Sequence, residues 1–147
     1  MQIKFIKEAY MFEQYTHVLF VVLSLIAMVL IQQLIATVAH RKQSEYIPGV
    51  VSAELDHFSF VFRSNRTFLN SLENVPVFIL SVIIAIMVGV TPQHLLNVTI
   101  VFFIARLVHM ALFYAIATNK NPSPRSYFYM IGLFAQLYLI GLVYTYF

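Results

Sequence analysis

The sequence predicts an all-α integral membrane protein, a bundle of four transmembrane helices. Two observations of composition indicate this class: 61% of the 147 residues are hydrophobic and 10% are charged, and the mean hydropathy is +0.82. Soluble domains are about half apolar and about a quarter charged. The third observation is that the apolar residues form four stretches, each long enough to cross a bilayer core of about 30 Å. The length fits a single transmembrane domain over residues 1–147.

The four predicted helices span about residues 15–39, 63–90, 94–117 and 125–146. Pro48 and Gly49 mark a turn within the long polar connection that follows the first helix. Thr91 and Pro92 form a tight turn between the second and third helices, and Pro92 is well placed to begin the third. The polar run NKNPSP, residues 119–124, separates the last two helices. Residues 1–14 mix apolar and charged side chains, which predicts a short interfacial helix.

Composition also excludes several function classes. The chain has no cysteine, so any thiol chemistry must be supplied by a ligand. The net charge of +3 comes from dispersed basic residues rather than a continuous stripe, so no nucleic-acid partner is expected. Glu54, Asp56 and His57 match no strong metal-ligand spacing and are interpreted as a solvated loop. No metal site is therefore expected.

Basic residues predict the orientation in the membrane. They concentrate around the first and third connections between helices, at Arg41, Lys42, Arg63, Arg66, Lys120 and Arg125. The turn at Pro92 has none, so the first and third connections should be cytoplasmic, although Lys4 and Lys7 argue mildly for the reverse. The compact chain without a retention tail favours a bacterial inner membrane, with the site described below facing the cytoplasm.

Polar residues on the second predicted helix indicate a site. Arg66, Asn70 and Glu73 are three and four positions apart, so they share one helix face. If the second and third helices form a hairpin, Glu73 meets Arg106 and Asn70 meets His109 within about one turn, roughly 5 Å. Placing an unpaired cation inside a membrane costs several kcal/mol of free energy. Glu73 and Arg106 are therefore predicted to form a structural ion pair that joins the two helices.

Arg125, Ser126 and Tyr129 open the fourth predicted helix on the same side of the membrane. Arginine presents forked N–H donors that match carboxylates. The sequence therefore predicts a site for an anionic soluble ligand, located where a hydrophobic co-substrate can arrive from the membrane lipid.

The sequence contains three motifs in order: Arg66-x3-Asn70-x2-Glu73-x2-Pro76, Arg106-x2-His109 and Pro124-Arg125-Ser126. Together they resemble the MAPEG family, the membrane-associated proteins of eicosanoid and glutathione metabolism. The family includes microsomal glutathione transferases, leukotriene and prostaglandin E synthases, and the lipoxygenase-activating protein. The similarity covers about residues 15–147. It implies a homotrimer of four-helix protomers, with glutathione bound between neighbouring protomers near the cytoplasmic face.

The resemblance also implies roles for individual residues. Arg125 is expected to stabilise the glutathione thiolate, with Ser126 beside it, and these two are the expected catalytic residues. The residues expected to bind glutathione are Arg66, Asn70, Glu73, His109 and Tyr129. Two positions depart from the family pattern: Phe113 replaces a frequent tyrosine and is followed by Tyr114, and Ala39 replaces a first-helix arginine.

The predicted function is a glutathione-dependent transferase or peroxidase that acts on hydrophobic electrophiles or lipid hydroperoxides, as in detoxification. One alternative is a non-catalytic lipid-binding scaffold similar to the lipoxygenase-activating protein. Another is a small proton- or ion-conducting oligomer with Glu73, Arg106 and His109 as the relay.

Overall fold

The structure, a computed structural model, describes residues 13–147, and its regular elements are four long α-helices. The helices are α1 (Thr16–Arg41), α2 (Phe60–Met87), α3 (Pro92–Ala115) and α4 (Pro124–Tyr144). Their ends lie within three residues of the predicted ones, the largest shifts being from 63 to 60 and from 90 to 87 in α2. The interfacial helix predicted over residues 1–14 lies almost wholly outside the described residues.

Each of the four helices is long and apolar enough to cross a membrane. They contain 26, 28, 24 and 21 residues, with mean hydropathies of 2.7, 1.8, 2.0 and 1.6 in their apolar windows. At about 1.5 Å per residue, every one spans a hydrocarbon core of about 30 Å. Large apolar side chains such as Phe20, Leu34 and Met87 are 65–79% exposed. Their exposure is favourable when lipid rather than water surrounds the bundle.

The interior of the bundle combines apolar packing with satisfied hydroxyl groups. The Phe78 and Phe102 rings are fully buried and stack between α2 and α3, with centroids 3.7 Å apart. Two buried threonines donate to carbonyl oxygens one turn earlier in their own helices, Thr67 at 2.8 Å and Thr99 at 2.7 Å. This local bonding lets hydroxyl groups lie in an apolar core without an unpaired donor.

The turn between α2 and α3 ends α2 earlier than the sequence predicted. Gly89 has φ +81°, a left-handed conformation that glycine adopts without strain. The N–H groups of Gly89 and Val90 donate to Ile86 and Ala85, as in a Schellman motif. The Tyr15 hydroxyl donates to the Val90 carbonyl at 2.7 Å, which fastens the turn to the start of α1.

The start of α2 also differs from the prediction, since the helix begins at Phe60 rather than Arg63. The Arg63 guanidinium folds back and donates to the carbonyls of His57 (2.8 Å) and Phe58 (3.0 Å). The Asp56 carboxylate accepts the Phe58 N–H at 2.9 Å. These contacts fix the backbone just before Arg63, so α2 can begin three residues earlier than the polar pattern indicated.

The two long connections, residues 42–59 and 116–123, lie at the same end of the bundle, which we call the loop end. The Asn119 side chain donates to the Asp56 carboxylate at 2.9 Å and links the two connections. The tight α2–α3 turn lies at the other end. The loop end therefore gathers the N-termini of α2 and α4 with the C-terminus of α3.

Candidate functional site: a polar cleft at the loop end

A cleft of about 520 Å³ opens at the loop end between α2, α3, α4 and both long connections. We call it the polar cleft. Its lining residues are His57, Arg66, Asn70, Glu73, His109, Phe113, Asn119, Lys120, Asn121, Ser123, Arg125, Ser126, Tyr129 and Met130. All seven residues predicted from the sequence to contact glutathione or take part in catalysis are in this set. The structure therefore brings them together, although they come from three different helices.

Arg125 is the most constrained cation of the polar cleft. Its side chain is buried, and three of its nitrogens bond to the protein. Nε donates to Ser123 Oγ at 3.2 Å, Nη2 donates to the Thr118 carbonyl at 2.8 Å, and Nη1 lies 3.2 Å from His57 Nδ1. The guanidinium also lies over the Phe113 ring, 4.3 Å from its centroid. Of the five N–H donors of an arginine, three are used, and one on each terminal nitrogen remains for a ligand.

Ser126 follows Arg125 in the first turn of α4. Its Oγ accepts the backbone N–H of Ser123 at 3.3 Å, the bond that a capping-box side chain makes to the residue before a helix. The hydroxyl of Ser126 therefore stabilises the helix start, and its own proton is left to donate elsewhere.

The predicted ion pair between Glu73 and Arg106 is wrong. Arg106 is 1% exposed and donates from Nη2 to Asn70 Oδ1 at 2.6 Å and to Ser71 Oγ at 3.4 Å. Glu73 pairs instead with Arg66 on the exposed face of α2, at 3.2 Å. The reason is rotational: Asn70 and Ser71 face Arg106 on α3, whereas the side chain of Glu73 is 54% exposed and reaches Arg66. Neutral oxygens therefore replace the carboxylate as partners of the buried guanidinium.

His109 lies on α3 about one turn after Arg106 and lines the polar cleft. It is 3% exposed, and its ring is tilted against the rings of Phe113 (5.0 Å) and Tyr129 (6.3 Å). Its Nδ1 atom is buried and has no hydrogen-bond partner among residues 13–147. Such a group is available to a bound ligand.

The sequence interpretation missed His57, because the Glu54–His57 segment was assigned to a solvated loop. His57 is half-buried, lines the polar cleft and contacts Arg125, a residue 68 positions away. Burial, followed by the nearby Arg125 guanidinium, lowers the pKa of the His57 imidazole below its usual 6.5. Asp56 is exposed, and the hydrogen bond from Asn119 lowers the pKa of its carboxyl group below 3.8. No local pattern marks contacts at these separations.

Asn119 and Lys120 were also missed as lining residues, although their position in the polar run before Arg125 was a usable signal.

Phe113 lies inside the polar cleft under Arg125, whereas its neighbour Tyr114 packs beside Phe60 with ring centroids 5.7 Å apart. Tyr114 therefore does not line the polar cleft. Within residues 13–147, no group of three His, Asp or Glu residues is arranged to hold a metal ion.

A second cavity, of about 440 Å³, is almost entirely apolar and lies between α3 and α4. We call it the apolar groove. Its lining residues are Asn97, Val98, Val101, Ile131, Phe134, Ala135 and Tyr138.

These features define the class of the protein: a four-helix membrane protein with a cationic cleft at one end of the bundle. The chain belongs to the MAPEG family, whose model matches residues 18–145. It is an integral multi-pass membrane protein. Comparisons with curated proteins and with solved structures return no match.

Proposed function

We propose that the protein is a glutathione-dependent transferase or peroxidase that acts on hydrophobic electrophiles or lipid hydroperoxides. The observation that carries this proposal is the convergence of all seven predicted residues on one cleft of about 520 Å³. Sites for small molecules are typically about 300–1,000 Å³. Three basic side chains line it, those of Arg66, Lys120 and Arg125, which favours an anionic ligand.

The remaining groups of the polar cleft suit the polar atoms of glutathione. The forked donors of Arg66 can bind one of its carboxylates, and Glu73, paired with Arg66, can accept from its ammonium group. Asn70 and Tyr129 supply further polar positions. The buried Nδ1 of His109, without a partner among the described residues, would gain a hydrogen bond from a ligand in the cleft.

Arg125 is the residue proposed to hold the sulfur of glutathione as a thiolate. A free thiol has a pKa of about 8.5, and a neighbouring guanidinium at a helix N-terminus lowers it. Arg125 is the second residue of α4 and keeps two N–H donors beyond those that bond to Ser123, His57 and Thr118. The charge and these two donors can both stabilise the ionised sulfur.

The chemistry then follows from the thiolate as a nucleophile. In the transferase reaction, the sulfur forms a bond to an electrophilic carbon and the leaving group departs with the bonding electron pair. In the peroxidase reaction, two glutathione molecules are oxidised to their disulfide while the hydroperoxide is reduced to an alcohol and water. Both reactions need a hydrophobic co-substrate, which the bilayer around α1–α4 can deliver.

The test uses purified protein in detergent, glutathione, and either a chloronitrobenzene or cumene hydroperoxide. We expect calorimetry to detect glutathione binding and turnover to fall by about 100-fold or more in Arg125→Ala, because an electrostatic donor to the reacting charge is lost. Arg125→Lys should retain part of the rate. Lys42→Ala removes an exposed cation outside the polar cleft and serves as the control. Equal activity in wild type and Arg125→Ala would remove the assigned role.

We also propose that the protein is a homotrimer in a bacterial inner membrane, with glutathione bound between neighbouring protomers and the loop end in the cytoplasm. Membership of the MAPEG family supports the assembly, and the basic residues of both long connections support the orientation. A mass of three chains in detergent by light scattering is the expected result; a stable monomer that binds glutathione would contradict the shared site.

A second candidate function is a non-catalytic lipid-binding scaffold. It is favoured by the apolar groove of about 440 Å³ and by the three bonds from Arg125 to the protein, which also suit a structural arginine. The scaffold predicts that glutathione gives no thiolate absorbance while a fatty acid still binds. Turnover that depends on Arg125 would exclude it.

A further inference from the structure

We propose that His57 is a positioning residue for Arg125: the imidazole accepts a hydrogen bond from the guanidinium and fixes its orientation in the polar cleft. This inference rests on the proposed function, since Arg125 is the residue assigned to the thiolate.

The chemistry of the contact determines the state of the imidazole. Arg125 Nη1 lies 3.2 Å from His57 Nδ1. A guanidinium has only donors, so Nδ1 must accept with its lone pair and the ring proton must reside on Nε2. The contact therefore requires a neutral His57 in a single tautomer.

The ring of His57 is held by its surroundings. It packs edge-on against Phe62, with centroids 4.9 Å apart, and is tilted against Phe113 at 5.8 Å. Phe113 in turn supports the Arg125 guanidinium on its face. The His57 carbonyl is fixed by Arg63. A displacement of His57 would therefore be transmitted to Arg125 through both the hydrogen bond and the shared phenylalanine.

His57 differs from the other partners of Arg125 in where it comes from. Ser123 and Thr118 belong to the segment directly before α4, so their bonds fix the guanidinium only relative to its own helix. His57 lies just before α2, the helix that carries Arg66 and Asn70. Among the described partners, it is the one that sets the distance between Arg125 and the α2 wall of the cleft.

The charges around His57 favour the neutral form. The groups that face it are Arg125 from α4, Arg63 and Arg66 from α2, His109 from α3 across Phe113, and Asp56 beside it. Burial is the first cause and the three arginines add to it, so the pKa of His57 is lowered below 6.5 despite the opposing effect of Asp56. Protonation would remove the acceptor and place two cations in contact.

Two substitutions separate positioning from packing. His57→Phe keeps a ring against Phe62 and Phe113 but removes the acceptor. His57→Asn places an amide oxygen near the position of Nδ1 and cannot titrate. The readout is the ultraviolet absorbance of the glutathione thiolate as a function of pH, together with kcat and KM.

We expect His57→Phe to raise the pKa of the bound thiol toward about 8.5. Its kcat should fall by up to about 100-fold, as for a misplaced reacting group, with a much smaller change in the KM for glutathione. His57→Asn should keep the thiol pKa close to that of wild type, because its amide oxygen can accept the hydrogen bond from Arg125. A thiol pKa in His57→Asn that rises toward about 8.5 overturns the inference, even if His57→Phe does not fold.

The outcomes for the function and for the inference are distinguishable. Thiolate formation that is identical in wild type and His57→Phe overturns the role of His57 and leaves the proposed function intact. If wild type forms no thiolate, the proposed function fails, and NMR of ¹⁵N-labelled histidine decides the inference. We then expect a neutral His57 with its proton on Nε2, whose pKa rises in Arg125→Gln; an unchanged titration overturns it.

Discussion

Arg106 is a buried cation between two membrane-spanning helices. Its guanidinium is 1% exposed, so it needs hydrogen-bond partners within the bundle. It finds them in Asn70 and Ser71 rather than in Glu73. The amide oxygen of Asn70 neutralises no charge but supplies a strong, short acceptor. Glu73 stays exposed on the surface of α2, where it pairs with Arg66.

This difference predicts that two nearby substitutions lower the free energy of unfolding by very different amounts. Asn70→Leu leaves the buried guanidinium without its main acceptor and should lower the free energy of unfolding by about 3 kcal/mol. Glu73→Gln breaks only an exposed pair and should cost less than about 1 kcal/mol. Unfolding by denaturant in detergent, without glutathione, measures both. A larger loss in Glu73→Gln would restore the pairing first expected from the sequence.

Ser126 caps the start of α4 and is also an expected catalytic residue, so its two roles must be separated. Because its Oγ accepts the Ser123 N–H at 3.3 Å, Ser126→Ala should destabilise the protein by about 1 kcal/mol, as for a lost helix cap. Ser126→Thr keeps the hydroxyl and serves as the control. Thermal unfolding and turnover are measured together. Lost turnover with unchanged stability would show that the hydroxyl acts on the substrate and that its capping bond is dispensable.

At the scale of elements, the stability of the loop end should depend on pH through His57. Its pKa is lowered in the folded protein, so its contribution is complete above about pH 6.5 and is lost as the pH falls toward the folded value. Asp56 has a pKa below 3.8 and stays ionised throughout this range. The melting temperature of wild type should therefore fall between about pH 7.5 and about pH 5.5 more than that of His57→Asn. Parallel curves would contradict this account.

The helices themselves were predictable, because long apolar runs bounded by proline and polar breaks leave few alternatives in a membrane. Their ends were less so, since α2 starts where Arg63 folds back on His57 and Phe58 and ends at the Gly89 turn. These contacts depend on side-chain conformation and leave no periodic signal. The spacing of three and four residues did place Arg66, Asn70 and Glu73 on the cleft side of α2.

The partners of those residues could not be derived in the same way. Which acceptor reaches Arg106 depends on the rotation of α2 about its axis, and a helix position alone does not determine it. His57–Arg125 and Asp56–Asn119 join residues 68 and 63 positions apart, across two loops. Only the packed arrangement of the four helices shows that these loops meet.

At the scale of the whole molecule, the absence of cysteine from the sequence makes the orientation directly measurable. Ser44→Cys places a single exposed thiol in the first long connection, and Thr91→Cys places one in the opposite turn. In intact cells, a membrane-impermeant thiol reagent should label Thr91→Cys and spare Ser44→Cys until the cells are broken. The reverse pattern would put the polar cleft outside the cytoplasm.

The most direct test of the central claim is an ultraviolet difference spectrum of the purified protein with saturating glutathione, recorded as a function of pH. We predict a thiolate band whose pH dependence gives the bound thiol a pKa well below the free value of about 8.5. The band should be lost in Arg125→Ala and retained in Lys42→Ala. A bound glutathione that stays protonated until about pH 8.5, or a thiolate band of equal size in Arg125→Ala, would contradict the account.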